Sequence, residues 1–269
     1  MENTSNSVGL SSDTMEAVSL MSVVNILIGV IGIIGLLGNS LVCVVVLRVP
    51  QLRTLANYLI VHQAIIDVIA SIVITVRFFG PQTTQLPDNL FGEMACRLWK
   101  SDYLIWSLFL LSSLNLVLIT MERYYAIVYP LSYQFIYSPG KVKIMVVVVW
   151  IVAFVFKIYN PIVQSFDHGV CITNFPSPAV SKLAGIATVI VQYITPLIVM
   201  AMAYTRCIFA IKHTVHNGPL TNKEKSVMRA RNNILKMLVL VFLVYAVCWG
   251  PNQINNVHAV SEWCEDRIL

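Results

Sequence analysis

The side chains best equipped for chemistry sit where water should be scarce. Asp67 is a carboxylate inside an apolar stretch, residues 57–76, and Asn39 and Asn115 are amides in the middle of two others, with Ser112 and Ser113 within a turn of Asn115. An ionisable group in hydrocarbon costs at least ~2.5 kcal/mol on insertion scales, so it implies either function or a partner. A carboxylate with amide and hydroxyl oxygens nearby can hold a small hard cation. The same groups also serve as hydrogen bonds between helices without an ion, and on the residues alone that simpler reading is preferred. Glu122-Arg123-Tyr124 closes another apolar run with a charged pair. Pro196 and Pro251 interrupt two more, where each removes a backbone bond and kinks a helix. Trp249, two residues before Pro251, is either a moving ring beside that kink or an ordinary core aromatic. No nucleophile–base pair, phosphate loop or metal-ligand spacing is present and the five His are scattered, so neither an enzyme nor a metal centre is expected.

These residues need elements to position them, and composition says which. Of 269 residues, 57% are hydrophobic and 12% charged, against about 25% charged in soluble domains. Charge-free runs cover 21–47, 104–121, 144–156, 183–205 and 237–258, and a sixth apolar stretch, 57–76, is crossed by His62 and Asp67. A helix needs roughly 20 residues to cross a bilayer. Lipid offers the backbone no partner, and the runs lack the alternation of barrel strands, so helices are expected. The predicted fold is an all-α transmembrane bundle of six helices, at about 21–47, 55–79, 97–128, 141–163, 181–212 and 227–258. A tail at 1–20 and the start of an outer loop at 259–269 flank it. Gly29, Gly32, Gly35 and Gly38 recur every third residue, which suits a close-packing face.

Loop charges predict the orientation. With the N-terminus outside, Arg48, Arg53, Arg123, Lys141, Lys143, Arg206, Lys212, Lys223, Lys225, Arg229, Arg231 and Lys236 fall inside, twelve of the 18 basic residues. That is the positive-inside pattern. The net charge of +5 arises from that face and implies no nucleic-acid partner. No Lys or Arg occurs in the first 20 residues, so a signal peptide is not expected. Asn3-Thr4-Ser5 is a glycosylation sequon on the outer side. Cys96, Cys171 and Cys264 share that oxidising side, where a Cys96–Cys171 bond would tie the fourth-to-fifth loop over the bundle and leave Cys264 over. The basic loop at 212–236 suits an anionic partner, protein or lipid, or simply reflects the positive-inside bias.

The ordered motifs resemble those of rhodopsin-like G protein-coupled receptors. Gly38-Asn39-Ser40 resembles the first-helix signature, and Asn57 with Ala64-Ile65-Ile66-Asp67 the second. Phe91-Gly92 before Cys96, then Glu122-Arg123-Tyr124, then Tyr129-Pro130-Leu131 are similar to the third helix and the loop after it. Trp150, the pair Pro196 and Tyr204, and Cys248-Trp249-Gly250-Pro251 are similar to the fourth, fifth and sixth. The resemblance covers roughly residues 21–265. It implies a plasma-membrane receptor that binds an extracellular ligand and activates a heterotrimeric G protein. Glu122, Arg123, Tyr124, Pro130, Tyr204, Trp249 and Pro251 would then serve coupling and activation. Asn39, Asp67 and Ser112 would match a pocket for an allosteric sodium ion. Arg77, Tyr103, Trp106, Asn252, Gln253 and Asn256 would be ligand-pocket positions.

The chain departs from the pattern in three ways. It stops at Leu269, after the sixth helix and before any NPxxY motif, which suits a fragment or a truncated, non-signalling form. Arg231 stands where relatives carry an acid, so a lock from the sixth helix to Arg123 is not expected. Cys96 to Arg123 spans 27 residues where relatives show 25, so the third helix must absorb two near Arg97–Asp102 or bulge. The position that holds an aspartate in amine receptors is Ile105 counted back from Arg123 and Tyr103 counted on from Cys96. Neither is acidic, and the retinal-binding lysine of the seventh helix is absent. The acidic outer face suits a peptide of basic character by charge complementarity. A membrane transporter, with Asp67 as an ion ligand, is the remaining alternative, but no internal repeat supports it.

Overall fold

Polar side chains or proline start most of the helices. Thr54, Asn89, Ser138 and Ser177 each accept a hydrogen bond from a backbone N–H of the first helical turn, which would otherwise lack a partner. Pro130, Pro139 and Pro178 follow at the first helical positions, where a missing N–H costs nothing. The computed structural model describes residues 3–80, 85–216 and 222–265, with the side chains of 3–22, 24 and 251–265, and of several residues between 214 and 238, outside that description.

Among the described residues, six helical segments are long and apolar enough to cross a membrane: Asn25–Arg48, Leu55–Phe79, Leu90–Val128, Pro139–Ile162, Pro178–His213 and Arg231–Gly250. They are called the first to sixth spans below. The second runs unbroken from Leu55 to Phe79. The first helix begins earlier, at Asn3, and the last continues to Glu265, so residues 3–20 of the expected tail and 259–265 of the expected loop are helical backbone. No proline lies in 3–20 or 252–265 to stop either helix, and Pro251 removes only one bond from a ladder that continues past it.

The third span is buried on every side and forms the axis. Leu108, Leu110, Leu111, Ser113, Asn115 and Glu122 are each at most 3% exposed. The outer spans turn apolar residues away from it. Ile26, Ile31, Ile34 and Leu37 of the first span, and Ile144, Val147, Ile151 and Val155 of the fourth, are more than half exposed. In water such faces would aggregate; in lipid they are solvated.

Three of the four periodic glycines set the approach of the first span to the second. A methyl group on Gly29, Gly32 or Gly35 would lie 2.9 Å from the Phe79 ring, 3.0 Å from Thr75 Oγ1 and 2.8 Å from Ser71 Oγ. Nothing lies within 4 Å of the same point on Gly38.

The third span is not the continuous helix expected over 97–128. It opens with Leu90–Met94, passes through a wider turn at Ala95–Lys100, and restarts at Tyr103 after Asp102, whose φ is 53°. The wide turn and the left-handed residue absorb the two extra residues. A non-glycine residue in that region costs ~1–3 kcal/mol, least for Asp and Asn. Here Asp102 is held by Arg77, with Nε 2.6 Å from Oδ1. The fifth span is likewise interrupted by a wide turn at Ile190–Ile194, just before Pro196.

The bundle is not wholly helical. Between the fourth and fifth spans, β1 (Gln164–Asp167) pairs antiparallel with β2 (Val170–Thr173). His168 and Gly169 both have positive φ, which suits a tight two-residue turn. The hairpin is anchored twice. Cys171 is bonded to Cys96, and the Gly169 carbonyl accepts from Leu86 N–H at 2.9 Å. Phe166, opposite Cys171, lies against Gly92, where a side chain would also drive into the Pro87 carbonyl at 1.9 Å.

Two predictions follow from this packing. Gly35→Leu should cost about 1–3 kcal/mol through overpacking, seen as a lower unfolding temperature in detergent, while Gly38→Leu leaves it unchanged; equal losses would contradict the close-packing face. Cys96→Ser and Cys171→Ser should reduce delivery of the protein to the cell surface equally, and loss in only one would contradict the tie.

Candidate functional site

A chain of hydrogen bonds crosses the middle of the bundle. Trp150 Nε1–H donates to His62 Nε2 at 2.8 Å. An indole nitrogen only donates, so His62 carries its hydrogen on Nδ1, which donates to Asn115 Oδ1 at 2.9 Å. Asn115 Nδ2 donates to Gln63 Oε1 at 2.9 Å and to the Leu59 carbonyl at 3.3 Å. Gln63 Nε2 then faces both oxygens of Asp67, at 3.0 and 3.1 Å, and Ser112 Oγ at 2.6 Å. Ser112 Oγ–H closes the chain on Asp67 Oδ1 at 3.2 Å. Second, third and fourth spans are joined, and every donor in the chain meets an acceptor. Asn115, at the centre, is fully buried.

This geometry answers whether Asp67 and Ser112 suit a cation. The Gln63 amide touches both carboxylate oxygens and the serine hydroxyl at once, which is the position a cation bound by those atoms would need. Asn39 lines the same cavity, but its amide donates to Gly35 O of its own helix at 2.9 Å. As arranged, the residues do not fit a cation until Gln63 turns away. The sequence pointed to Asp67, Ser112 and Asn39 and missed Gln63, although a glutamine one turn before a buried aspartate was a readable signal.

Two cavities share this floor. One, of about 610 Å³, is lined by Asn39, Asp67, Asp102, Trp106, Ser112 and Trp249. The other, of about 370 Å³, continues past Asp67, Ser112 and Trp249 to Tyr204 and Tyr245. Trp249, like Asp67 and Ser112, lines both. Its ring stands edge-on to Phe109, with centroids 5.0 Å apart, and Phe109 in turn meets Trp106 at 6.0 Å. Below it, the Tyr245 hydroxyl donates to the Gln192 carbonyl. That carbonyl lies four residues before Pro196, whose missing N–H leaves it without its helical partner. Tyr193 O–H donates to the Ala246 carbonyl at 3.1 Å. Fifth and sixth spans are therefore joined where the proline opens the helix. Tyr204, also singled out from the sequence, is buried and pairs with Thr120 Oγ1 at 2.7 Å.

At the opposite end from the hairpin, Glu122 is 1% exposed and Arg123 lies beside it, Nε 3.1 Å from Oε2. The angle there is not that of a hydrogen bond, since Oε2 accepts none, so the attraction is one of charge. Oε1 accepts from Tyr133 O–H at 2.7 Å. Tyr133 belongs to the short helix Pro130–Ile136, which Pro130 starts and which stacks Tyr133 on Tyr137 at 5.4 Å. Burial, then the Glu122 carboxylate, hold the Tyr133 hydroxyl well above the ordinary tyrosine range, so it stays a donor throughout physiological pH. The Tyr124 ring packs edge-on against Tyr125 and Tyr129. Tyr133 was not among the residues expected from sequence.

The expected ligand positions divide. Trp106 lines the larger cavity. Arg77 is turned to Asp102, whose carboxylate lines it. Tyr103 faces the fourth span, donating to the Phe154 carbonyl at 3.0 Å, and Ile105 takes a place in the cavity wall. Counting back from Arg123 is thus the register that holds. Pro251, Asn252, Gln253 and Asn256, and the Asn3 sequon, have side chains outside the described residues.

Residues 38–268 match the family described as 7 transmembrane receptor (rhodopsin family). The chain is 26% identical over 229 residues to a tachykinin-like peptides receptor of Drosophila melanogaster, covering 80% of this chain and 43% of that protein. It is 28% identical over 219 residues to galanin receptor type 2 of Rattus norvegicus (80% and 57%) and 27% identical over 221 residues to the neuromedin-K receptor of Mus musculus (80% and 47%). The chain spans about half the length of the curated relatives it matches.

Removing the amide that caps Asp67 should expose the carboxylate. Gln63→Leu in detergent is expected to unfold at a temperature that rises with sodium chloride over choline chloride, whereas the unaltered chain responds to both alike. A sodium-specific rise in the unaltered chain would show that Gln63 does not occupy that position.

Proposed function

Because the chain belongs to the rhodopsin family of seven-transmembrane receptors, we propose that it is a plasma-membrane receptor that binds an extracellular peptide and activates a heterotrimeric G protein. The observation that carries this reading is the separation of two sites along one bundle. The larger cavity reaches from Asp67 to Phe78 and Asp102, near the hairpin end of the second and third spans. The Glu122–Arg123–Tyr133 cluster lies at the other end, with the basic residues of the loops. The positive-inside pattern puts that second end in the cytoplasm and the N-terminus outside. Similarity to tachykinin-like, galanin and neuromedin-K receptors supports the ligand class, as does the lack of an acid at Ile105.

The mechanism is a shift between packings. A ligand in the cavity touches Trp106 or the face of Trp249 and favours whichever packing it fits better. Trp249 and the Tyr245–Gln192 contact lie on the path from the cavity towards Tyr204, so repacking there moves the sixth span against the fifth. Arg123 is held by a single buried carboxylate, which Tyr133 keeps in place. With Arg231 where an acid would otherwise face it, no second anion of the sixth span holds Arg123 back. Release of Arg123 from Glu122 then presents a cation to the G protein. Arg77 would act at the cavity mouth through Asp102, and Tyr103 through the fourth span. Asn252, Gln253 and Asn256 remain candidates for ligand contact, and Pro251 for the kink.

The test is nucleotide exchange on G proteins reconstituted with the chain in lipid discs and challenged with tachykinin and galanin peptides. Exchange should rise with at least one peptide, and Arg123→Ala should lower it by tenfold or more while the folded protein remains in the membrane. Undiminished exchange with Arg123→Ala would remove the role given to that residue, and no exchange with any G protein would remove the receptor reading.

A further inference from the structure

Lys157 brings an ammonium group into the half of the fourth span nearest the hairpin and is 1% exposed. Its Nζ reaches one acceptor, Thr188 Oγ1 of the fifth span, at a long 3.5 Å. That hydroxyl is shared with Tyr159 O–H at 3.2 Å. Two rings complete the surroundings, Phe156 at 5.6 Å and Trp106 at 5.8 Å from the ammonium. Among the described residues no carboxylate forms an ion pair with it. A buried cation ordinarily has an anion or several acceptors, because desolvating it otherwise costs several kcal/mol. Ring faces and one hydroxyl are thin compensation.

A second buried polar group lies on the fifth span. Gln192, one turn past Thr188 on the fifth span, is fully buried, and neither its Nε2 nor its Oε1 has a partner. Unpaired buried amides are rare in native proteins and each calls for an explanation. The hydroxyl that meets the ammonium and this unpaired amide thus lie a turn apart on the fifth span. Trp106 is the single ring that both touches Lys157 and lines the cavity of about 610 Å³.

We propose that Lys157 is the anion-recognising residue of a subsite between the third, fourth and fifth spans, and that it takes a carboxylate of the ligand, either an acidic side chain or a free peptide C-terminus. The proposal rests on the receptor reading and narrows it. Rotation of the Trp106 indole joins the ammonium to the cavity. The carboxylate then accepts from Lys157 and from Thr188. The exposed carboxylates of Asp88 and Asp167 at the hairpin suit a basic part of the same peptide, so the ligand would be recognised through charges of both signs.

The probes are N-acetyl-leucine and its amide, which differ in the carboxylate alone, added to the purified full chain in detergent while its thermal unfolding is followed. The acid should bind about tenfold more tightly than the amide, the factor that one charge-assisted hydrogen bond supplies. Lys157→Met should fold and bind the two probes equally, and Lys157→Arg should restore the preference. Equal binding of acid and amide by the unaltered chain, or a preference that survives Lys157→Met, overturns the subsite. Nucleotide exchange is read separately: acid preference in a chain that activates no G protein sustains the subsite and removes the receptor reading.

Discussion

Lipid is the solvent of this protein, and it forms no hydrogen bonds. Every polar group that a span carries into hydrocarbon must therefore find its partner on a neighbouring span or in its own backbone. The chain from Trp150 through His62, Asn115 and Gln63 to Asp67 and Ser112 meets that demand with alternating donors and acceptors across three spans. It fixes the rotation of the second and fourth spans about the third. Apolar packing alone does this poorly in a bilayer, where a leucine is as well solvated by lipid as by another helix.

The same demand accounts for the flexible side of the bundle. Pro196 leaves a carbonyl without its helical donor, and the replacement, Tyr245, comes from a different span. A bond within one helix has become a bond between two, at the level of Trp249. On the second-to-fourth side polar contacts are many and mutually satisfied. Among the described residues those on the fifth-to-sixth side are few, and the Gln192 side-chain amide is left unpaired. That asymmetry places rigidity near Asp67 and the capacity to repack between Trp249 and Tyr204. Arg123 lies beyond that second region, held by the charge of Glu122, which Tyr133 steadies.

Much of this was legible in the residues. The apolar stretch at 57–76 marks the second span, and the glycine period identifies the face that approaches it. The 27-residue spacing between Cys96 and Arg123 announced an irregular third span, because two residues cannot be added to a helix without rotating everything beyond them. What remained hidden depends on distant pairings. The hairpin at 164–173 is too short for a strand pattern and exists because Cys171 and Gly169 are anchored from the third-span side. Tyr103 looked like a pocket residue until the absorbed residues turned it to the fourth span. Gln63 and Tyr133 carry no motif of their own and gain meaning only from the Asp67 and Glu122 carboxylates they reach. Lys157 reads in sequence as a charge that ends an apolar run; only burial reveals that it lacks an anion.

The account stands on these segments crossing lipid so that the hairpin and the Arg123 cluster face opposite compartments. Short epitopes inserted singly at the His168–Gly169 turn and in the loop after Tyr137, in intact cells, test this directly. The turn epitope should bind antibody without permeabilisation and the loop epitope only after it. Antibody reaching the loop epitope on intact cells, or both epitopes behaving alike, would contradict the arrangement on which every other assignment depends.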